Sequence, residues 1–218
     1  MQPINVTVGP LAAADDNGIA ASQTVTGAAN VVINGALATG GVAYLDVPRR
    51  VSITCAGNDT GITFTVYGTT FGGTSVSETV QGVSGNAVST TVDFKTVTRI
   101  ATSGSTSASG IIVGTNGVAG SRWVRLDSWA NAETSIACNV TGTVNYTVQV
   151  TMDDPNDPTN PVAINSVAWL NTNDTDAVTA VADVFTNFQF TPTFARVLLN
   201  SGSGSVSATF AQFNVVNK

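Results

Sequence analysis

The acids and amides of Asp153-Asp154-Pro155-Asn156-Asp157-Pro158-Thr159-Asn160 are the one stretch of this 218-residue chain with the chemistry of a metal site. Calcium takes about six to eight oxygens from carboxylates, amide carbonyls and backbone. Asp153, Asp154, Asn156 and Asp157 could supply several of them. The spacing is not that of an EF-hand loop, and Asp-Pro and Asn-Asp pairs are also ordinary turn formers. A turn is the plainer expectation, with a bound calcium ion as the alternative. Asn173-Asp174-Thr175-Asp176 is a weaker candidate of the same kind.

Catalytic chemistry has little to work with. The chain has no histidine, which removes the Ser-His-Asp triad, the Cys-His pair and every zinc site that uses an imidazole. A pair of carboxylates about 5 to 10 Å apart could still cleave a glycosidic bond. The only two glutamates, Glu78 and Glu133, lie in strand-like, Ser/Thr-rich surroundings, where a solvated strand face is the plainer role. Asp93 is a further acid that a catalytic reading would have to use. No cofactor motif is present. The sequence therefore predicts no enzyme, no catalytic residue and no cofactor.

Trp123, Trp129 and Trp169 could stack on a sugar ring, although a tryptophan in a strand more often fills a core or a subunit interface. Cys55 and Cys138 stand far apart in strand-like segments, outside any CxxC pattern. Two free, partly buried thiols in a reducing compartment are expected, with a single disulfide as the alternative. Asn-X-Thr sequons at Asn5, Asn58, Asn139, Asn145 and Asn173 arise by chance in so Asn- and Thr-rich a chain.

The elements that must position these residues are strands. Hydrophobic residues make up 43% of the chain and charged residues only 10%, against the usual quarter or so. The mean hydropathy is +0.22, so the chain has enough apolar surface to fold. Thr, Ser, Asn and Gly must supply the polar surface, and these suit pleated sheets and turns better than long helices. The formal charge is −6, and the eight basic residues are scattered. No cationic stripe exists to displace counterions from phosphates, so nucleic acid and anionic membrane are both poor partners. No apolar run reaches the roughly 18 to 20 residues of a membrane span, and the N-terminus does not read as a secretory signal.

Residues 1–30 read as an arm, since Gly9 to Gly18 has no strand period. Such an arm should be mobile in the free protein and order on a partner. From Val31 the chain reads as short strands between Gly/Asn/Asp turns, at Val51 to Cys55, Ile62 to Tyr67, Ser75 to Val80, Val88 to Val92, Val97 to Ala101, Ile111 to Val113 and Trp123 to Leu126. Val144 to Met152 gives the cleanest alternation, and the Pro/Asp loop stops it. Later strands are expected at Ala163 to Leu170, Val184 to Phe190, Phe194 to Asn200 and Ser205 to Phe213, with a short helix allowed within Asp174 to Asp183. Turn signals every 8 to 12 residues or so predict an all-β, antiparallel β-sandwich protein of jelly-roll or Ig-like type. Two small sandwiches, 31–127 and 128–218, follow the arm.

Two runs, Val47-Pro48-Arg49-Arg50-Val51-Ser52-Ile53-Thr54 and Ala56-Gly57-Asn58-Asp59-Thr60-Gly61-Ile62-Thr63-Phe64-Thr65-Val66, carry a resemblance. So do Ser77-Glu78-Thr79-Val80, Asp93-Phe94-Lys95-Thr96-Val97-Thr98, Val113-Gly114-Thr115-Asn116-Gly117 and Ser121-Arg122-Trp123-Val124. Val144 to Thr151, Ala195 to Asn200 and the Gly-Pro-Leu-Ala-Ala-Ala-Asp segment at Gly9 to Asp15 complete it. In this order the pieces resemble the virion-associated β-sandwich structural proteins of tailed bacteriophages. The resemblance covers most of the chain and implies a non-enzymatic particle component without a cofactor. Such a component is made in the host cytoplasm and sits on the outside of the virion, as head decoration or in the neck and tail. Its partners would be other virion proteins and copies of itself. A module that binds a host-surface glycan is the alternative.

Overall fold

Val144–Thr151 forms the strand that its alternation predicts, with Val144, Tyr146, Val148 and Val150 buried. The same period organises most of the protein. The computed structural model describes residues 3–127, 133–188 and 190–213. They form an all-β protein of antiparallel strands, and no α-helix occurs among them. Two compact units result. One, Ala13–Gly117, is inserted in sequence; the other is discontinuous and combines Met1–Ala12 with Val118–Lys218.

The chain opens with β1 (Ile4–Val8), a strand of the discontinuous unit. It pairs antiparallel with residues 206–210, and Val6 and Val8 are buried. The expected 30-residue arm is thus corrected. Ile4, Val6 and Val8 alternate with Asn5 and Thr7, and their partner simply lies at the far end of the chain. Residues 13–30 belong to the inserted unit, where Ile19 and Ala20 are fully buried. The expected division at 30/31 and 127/128 is replaced by divisions at 12/13 and 117/118.

The inserted unit holds β2 (Ala20–Gln23), β3 (Ala38–Thr39), β4 (Val42–Asn58), β5 (Thr63–Thr69), β6 (Ser75–Gln81), β7 (Ser84–Ser89) and β8 (Phe94–Thr102). It also holds the larger part of β9 (Ile111–Gly120). The strands run β6-β5-β8-β4 in one sheet, with β3 and β7 also on β4 and β2 on β9. β4 is far longer than the Val51 to Cys55 strand that the alternation predicts, and it runs through Pro48. Proline cannot donate to a ladder, and Pro48 falls where the pairing with β8 shifts register between Tyr44 and Arg49. From Ser52 onward β4 pairs with β7, so β8 and β7 succeed one another along the strand. Ala43, Leu45, Val51, Ile53 and Cys55 all face the core.

Arg49 shares that inward parity and is 2% exposed. A buried guanidinium is tolerable only when paired. It contacts Asp46 at 3.3 Å and donates to the Asn116 carbonyl at 2.6 Å. Gly114 is fixed by a close approach: a Cβ there would overlap the Asp15 carbonyl, where residues 15–19 lie along β9.

The discontinuous unit continues with β10 (Val124–Arg125), β11 (Glu133–Thr141), β12 (Val144–Thr151), β13 (Leu170–Asn171), β14 (Val184–Phe188), β15 (Phe194–Gly202) and β16 (Ser205–Phe213). One sheet has the order β1-β16-β11-β14; in the other, β13, β12 and β15 are neighbours and β10 pairs with β15. Ile136, Val206, Ala208 and Phe210 of the first are buried, as are Tyr146, Val148, Val197 and Leu199 of the second. The expected strand at Ala163 to Leu170 is a 3-10 turn at Ile164–Ser166, and only Leu170–Asn171 pairs. The short helix allowed within Asp174 to Asp183 is a single 3-10 turn at Thr175–Ala177.

Candidate functional site

In the second sheet of the discontinuous unit, β15 is buried along both faces from Phe194 to Leu199. Ala195, Val197 and Leu199 look inward, so something must cover Phe194, Arg196 and Leu198 on the outside. The register sets out what lies there. Asn171, Gln149 and Arg196 form one cross-strand row, and Thr151, Phe194 and Arg125 form the next. Trp123 immediately precedes β10 and Trp169 immediately precedes β13. The strands therefore bring together two tryptophans 46 positions apart.

Their rings meet edge to face, with centroids 5.0 Å apart at 74°. Trp123 also meets Phe194 at 5.9 Å. Arg196, 4% exposed, lies 4.3 Å from the centre of Trp169. Its Nε and Nη2 donate to Gln149 Oε1 at 3.0 and 2.8 Å, and Gln149 Nε2 donates to Asn171 Oδ1 at 3.1 Å. These contacts hold the guanidinium over the indole, and a desolvated cation–π pair is stronger than an exposed one. At the rim, Arg125 stands 5.3 Å from the ring centre of Phe194 and grips Asp154 through two hydrogen bonds of 3.1 and 2.7 Å.

The acidic loop is fastened beside this cluster at two points, Arg125 and Ala168. Asp153 Oδ2 accepts the Ala168 N–H at 2.7 Å, tying the start of the loop to the residue before Trp169. Asp154 Oδ1 accepts the Asn156 N–H, and Asp157 Oδ1 accepts the N–H groups of Thr159 and Asn160. The Arg125 guanidinium, with the Asn156 N–H, holds the Asp154 carboxyl below its ordinary value. Asn160 and then Thr159 do the same for Asp157 through their N–H groups. The proposed calcium ligands Asp153, Asp154 and Asp157 thus serve as acceptors within the turn. Asn156 enters it as a donor. Among the described residues no group of three or more acids or cysteines converges as a metal site would require. In the weaker candidate, Asp174 accepts from Thr186 Oγ1 and from the Asp176 N–H, which lower its carboxyl in that order.

The remaining sequence candidates scatter. Glu78 takes the Thr91 and Val92 N–H groups and the Thr91 hydroxyl, and so caps the turn ahead of β8. Asp93 faces Arg50 at 3.9 Å. Glu133 opens β11, and its side chain, like Trp129, lies outside the described residues. Cys55 and Cys138 are free and buried. Burial raises both thiols; Asp59 adds to the rise at Cys55, and Cys138 is pushed up to about 11 despite a hydrogen bond with Tyr146.

A second surface was not anticipated from the sequence. The outward positions of the sheet β1-β16-β11-β14 include Asn5 and Thr7, Ser207 and Thr209, Ala137 and Asn139, then Phe185 and Asn187. None of these is charged; the exposed Asp183 stands at the Val184 end of β14, and Glu133 holds the same parity on β11 with its side chain outside the described residues. Asn5, Thr7, Ser207 and Thr209 bond to one another through their side chains. At one margin Phe185 is 80% exposed. Its phenyl ring could be found only by pairing β14 with β11, because Phe185 and Phe188 look alike in sequence while only Phe188 faces the core.

Among the described residues no helix is long and apolar enough to cross a membrane. Comparison with protein-family models finds no matching family, and comparison with curated proteins finds no relative.

Proposed function

We propose that this chain is a non-catalytic structural component of a tailed-bacteriophage virion, used in multiple symmetric copies on the outside of the particle. The observation that carries the reading is the run of uncharged outward positions across β1-β16-β11-β14, from Asn5 and Thr7 to Asn187, bordered by the exposed ring of Phe185. Solvated faces of soluble proteins are usually rich in Lys and Glu, whereas a face destined for protein contact avoids charge because burying it unpaired is costly. The order of turn-and-strand motifs supports the virion setting, as head decoration or as a neck or tail component that anchors a fibre. The experiment is mass spectrometry and cryo-EM of purified particles, with density for this chain in symmetric copies expected. Its absence from mature particles would overturn the reading.

A second reading, a host-surface glycan module, has one observation in its favour. Trp123 and Trp169 do come together, with Asn171, Gln149 and Arg125 around them. Against it, the rings meet at 74° and Trp169 is packed against Arg196, so the pair offers no shared flat face for a sugar. A glycan array decides this point, with no retained sugar expected.

A further inference from the structure

β14 is an edge strand, with β11 as its one ladder partner among the described residues. Its register with β11 is regular from Phe188 opposite Thr134 to Val184 opposite Cys138. Among the described residues, no backbone group of Val184–Phe188 bonds to anything except β11. Natural edges are usually blunted by charge, proline, bulges or a covering segment. The opposite edge of this sheet is treated in that way. β1 is preceded by Pro3 and followed by Gly9-Pro10, and Arg122 Nη2 donates to the Asn5 carbonyl at 2.9 Å. β6, an edge of the inserted unit, carries Glu78. Val-Phe-Thr-Asn-Phe itself carries no charge, proline or bulge; the 3-10 turn Thr175–Ala177 adjoins it on the core side, where Thr186 Oγ1 donates to Asp174, and on the outer side it displays the most exposed large apolar side chain described.

We propose that β14 pairs antiparallel with β14 of a second copy of this chain, across a two-fold axis centred on Thr186. This rests on the reading of a self-assembling structural protein and names the surface. The strand is complementary to itself in that register. On the core side Val184 lies opposite the second copy's Phe188, and apolar meets apolar. On the outer side Phe185 lies opposite Asn187, and the two Phe185 rings become diagonal neighbours about 7 to 8 Å apart, within aromatic reach. Charge selects the same arrangement. The chain carries −6, and Asp183 directly precedes the strand. Antiparallel pairing sends the two Asp183 side chains to opposite ends of the new ladder, whereas parallel pairing would set them side by side. The residues that meet in this register, Val184 to Phe188, carry no charge themselves, so no like charges lie directly opposite each other in the new ladder. Two four-stranded sheets become one of eight strands, through an isologous contact that closes on itself.

The test uses the full chain. Sedimentation velocity on the wild type should show a dimer. Phe185→Lys should weaken it by about tenfold or more, with the circular dichroism spectrum and Tm unchanged. The register is tested with the double variant Phe185→Cys/Asn187→Cys. Residues directly opposite in an antiparallel pair stand within disulfide reach, so oxidised glutathione should give a reductant-sensitive covalent dimer, while either single variant should not. Cys55 and Cys138 are buried and leave the background low. A monomeric wild type, or a dimer indifferent to Phe185→Lys and not cross-linked by the cysteine pair, would overturn the inference. Particle composition is scored separately. A chain present in particles without this pairing defeats the β14 contact alone. A β14 dimer absent from particles defeats the virion reading alone.

Discussion

The guanidinium of Arg196 lies 4.3 Å from the ring centre of Trp169 on the outer face of its sheet, and its Nε and Nη2 both donate to Gln149 Oε1. An outward face that should be solvated has become a small second core. Trp169 is its lid, since the edge of Trp123 packs against it and the loop from Asp153 ends on it.

If Trp169 is a packing residue, Trp169→Ala should cost about 2 to 3 kcal/mol, toward the low end for a half-buried tryptophan. Guanidinium unfolding followed by circular dichroism measures it without relying on the lost fluorophore. A variant within about 0.5 kcal/mol of wild type, the range of an ordinary surface change, would return Trp169 to the role of a ligand-stacking ring.

Asp154 gives a prediction with a pH signature. Arg125 and the Asn156 N–H depress its folded-state value, so its contribution is complete above the unfolded carboxylate value of about 3.9. The contribution is lost as pH falls through the lower folded value. Arg125 is 56% exposed, so solvent screening keeps the pair to about 1 kcal/mol at most. Asp154→Asn should therefore be slightly less stable than wild type at pH 6, and the difference should vanish near the acid end of the unfolding profile. A gap that widens on acidification would contradict the ion pair.

The calcium alternative is tested in the same loop. Every carboxylate that a cation would need there already accepts at least one backbone N–H, and Asp154 also holds Arg125. A bound ion would have to displace those bonds before gaining its own. Millimolar calcium, or EDTA, should leave Tm where it was; linkage would show a specific site as a concentration-dependent rise.

What was legible in the sequence followed from local periodicity. Val144–Thr151 and Thr63–Thr69 are strands because each alternates within itself, and their turns carry Gly, Asn or Asp. What failed needed distant partners or an exception. The alternation marked only Val51 to Cys55 as a strand, yet a register shift lets β4 run back through Pro48 to Val42. Ala163 to Leu170 looked apolar enough for a strand, but it is the part of a loop that delivers Trp169 to Trp123. The three tryptophans were legible as a set with a possible common purpose. That two of them would meet depends on the pairing of β10 with β15 and of β13 with β12, which no spacing reveals. The acidic loop was legible as a turn, and its fastening to Arg125 was not.

The N-terminus likewise depends on a distant partner, and it is the sharpest test of the fold. Pro3 and the Gly9-Pro10 pair isolate Ile4-Asn5-Val6-Thr7-Val8 from any local hairpin, so the segment reads as an arm. Its ladder partner is instead Val206 to Phe210, with Asn5 Nδ2 donating to Thr209 Oγ1 across 204 positions. Val6 and Val8 are 3% and 1% exposed, against neighbours that include Val206 and Phe210 of the same core. Removing residues 1–8 should therefore do more than trim a tail. It should strip β16 of one neighbour and open the core, lowering Tm well beyond what loss of an exposed terminus produces. The milder Val8→Ala should cost about 1 to 2 kcal/mol, a cavity-sized effect. Hydrogen exchange supplies the independent reading: the amides of β1 that bond to β16 should be protected to a degree approaching those of Val144–Thr151. Rapid exchange there in the isolated protein, together with a truncated chain as stable as the whole, would restore the arm and remove β1 from the sheet.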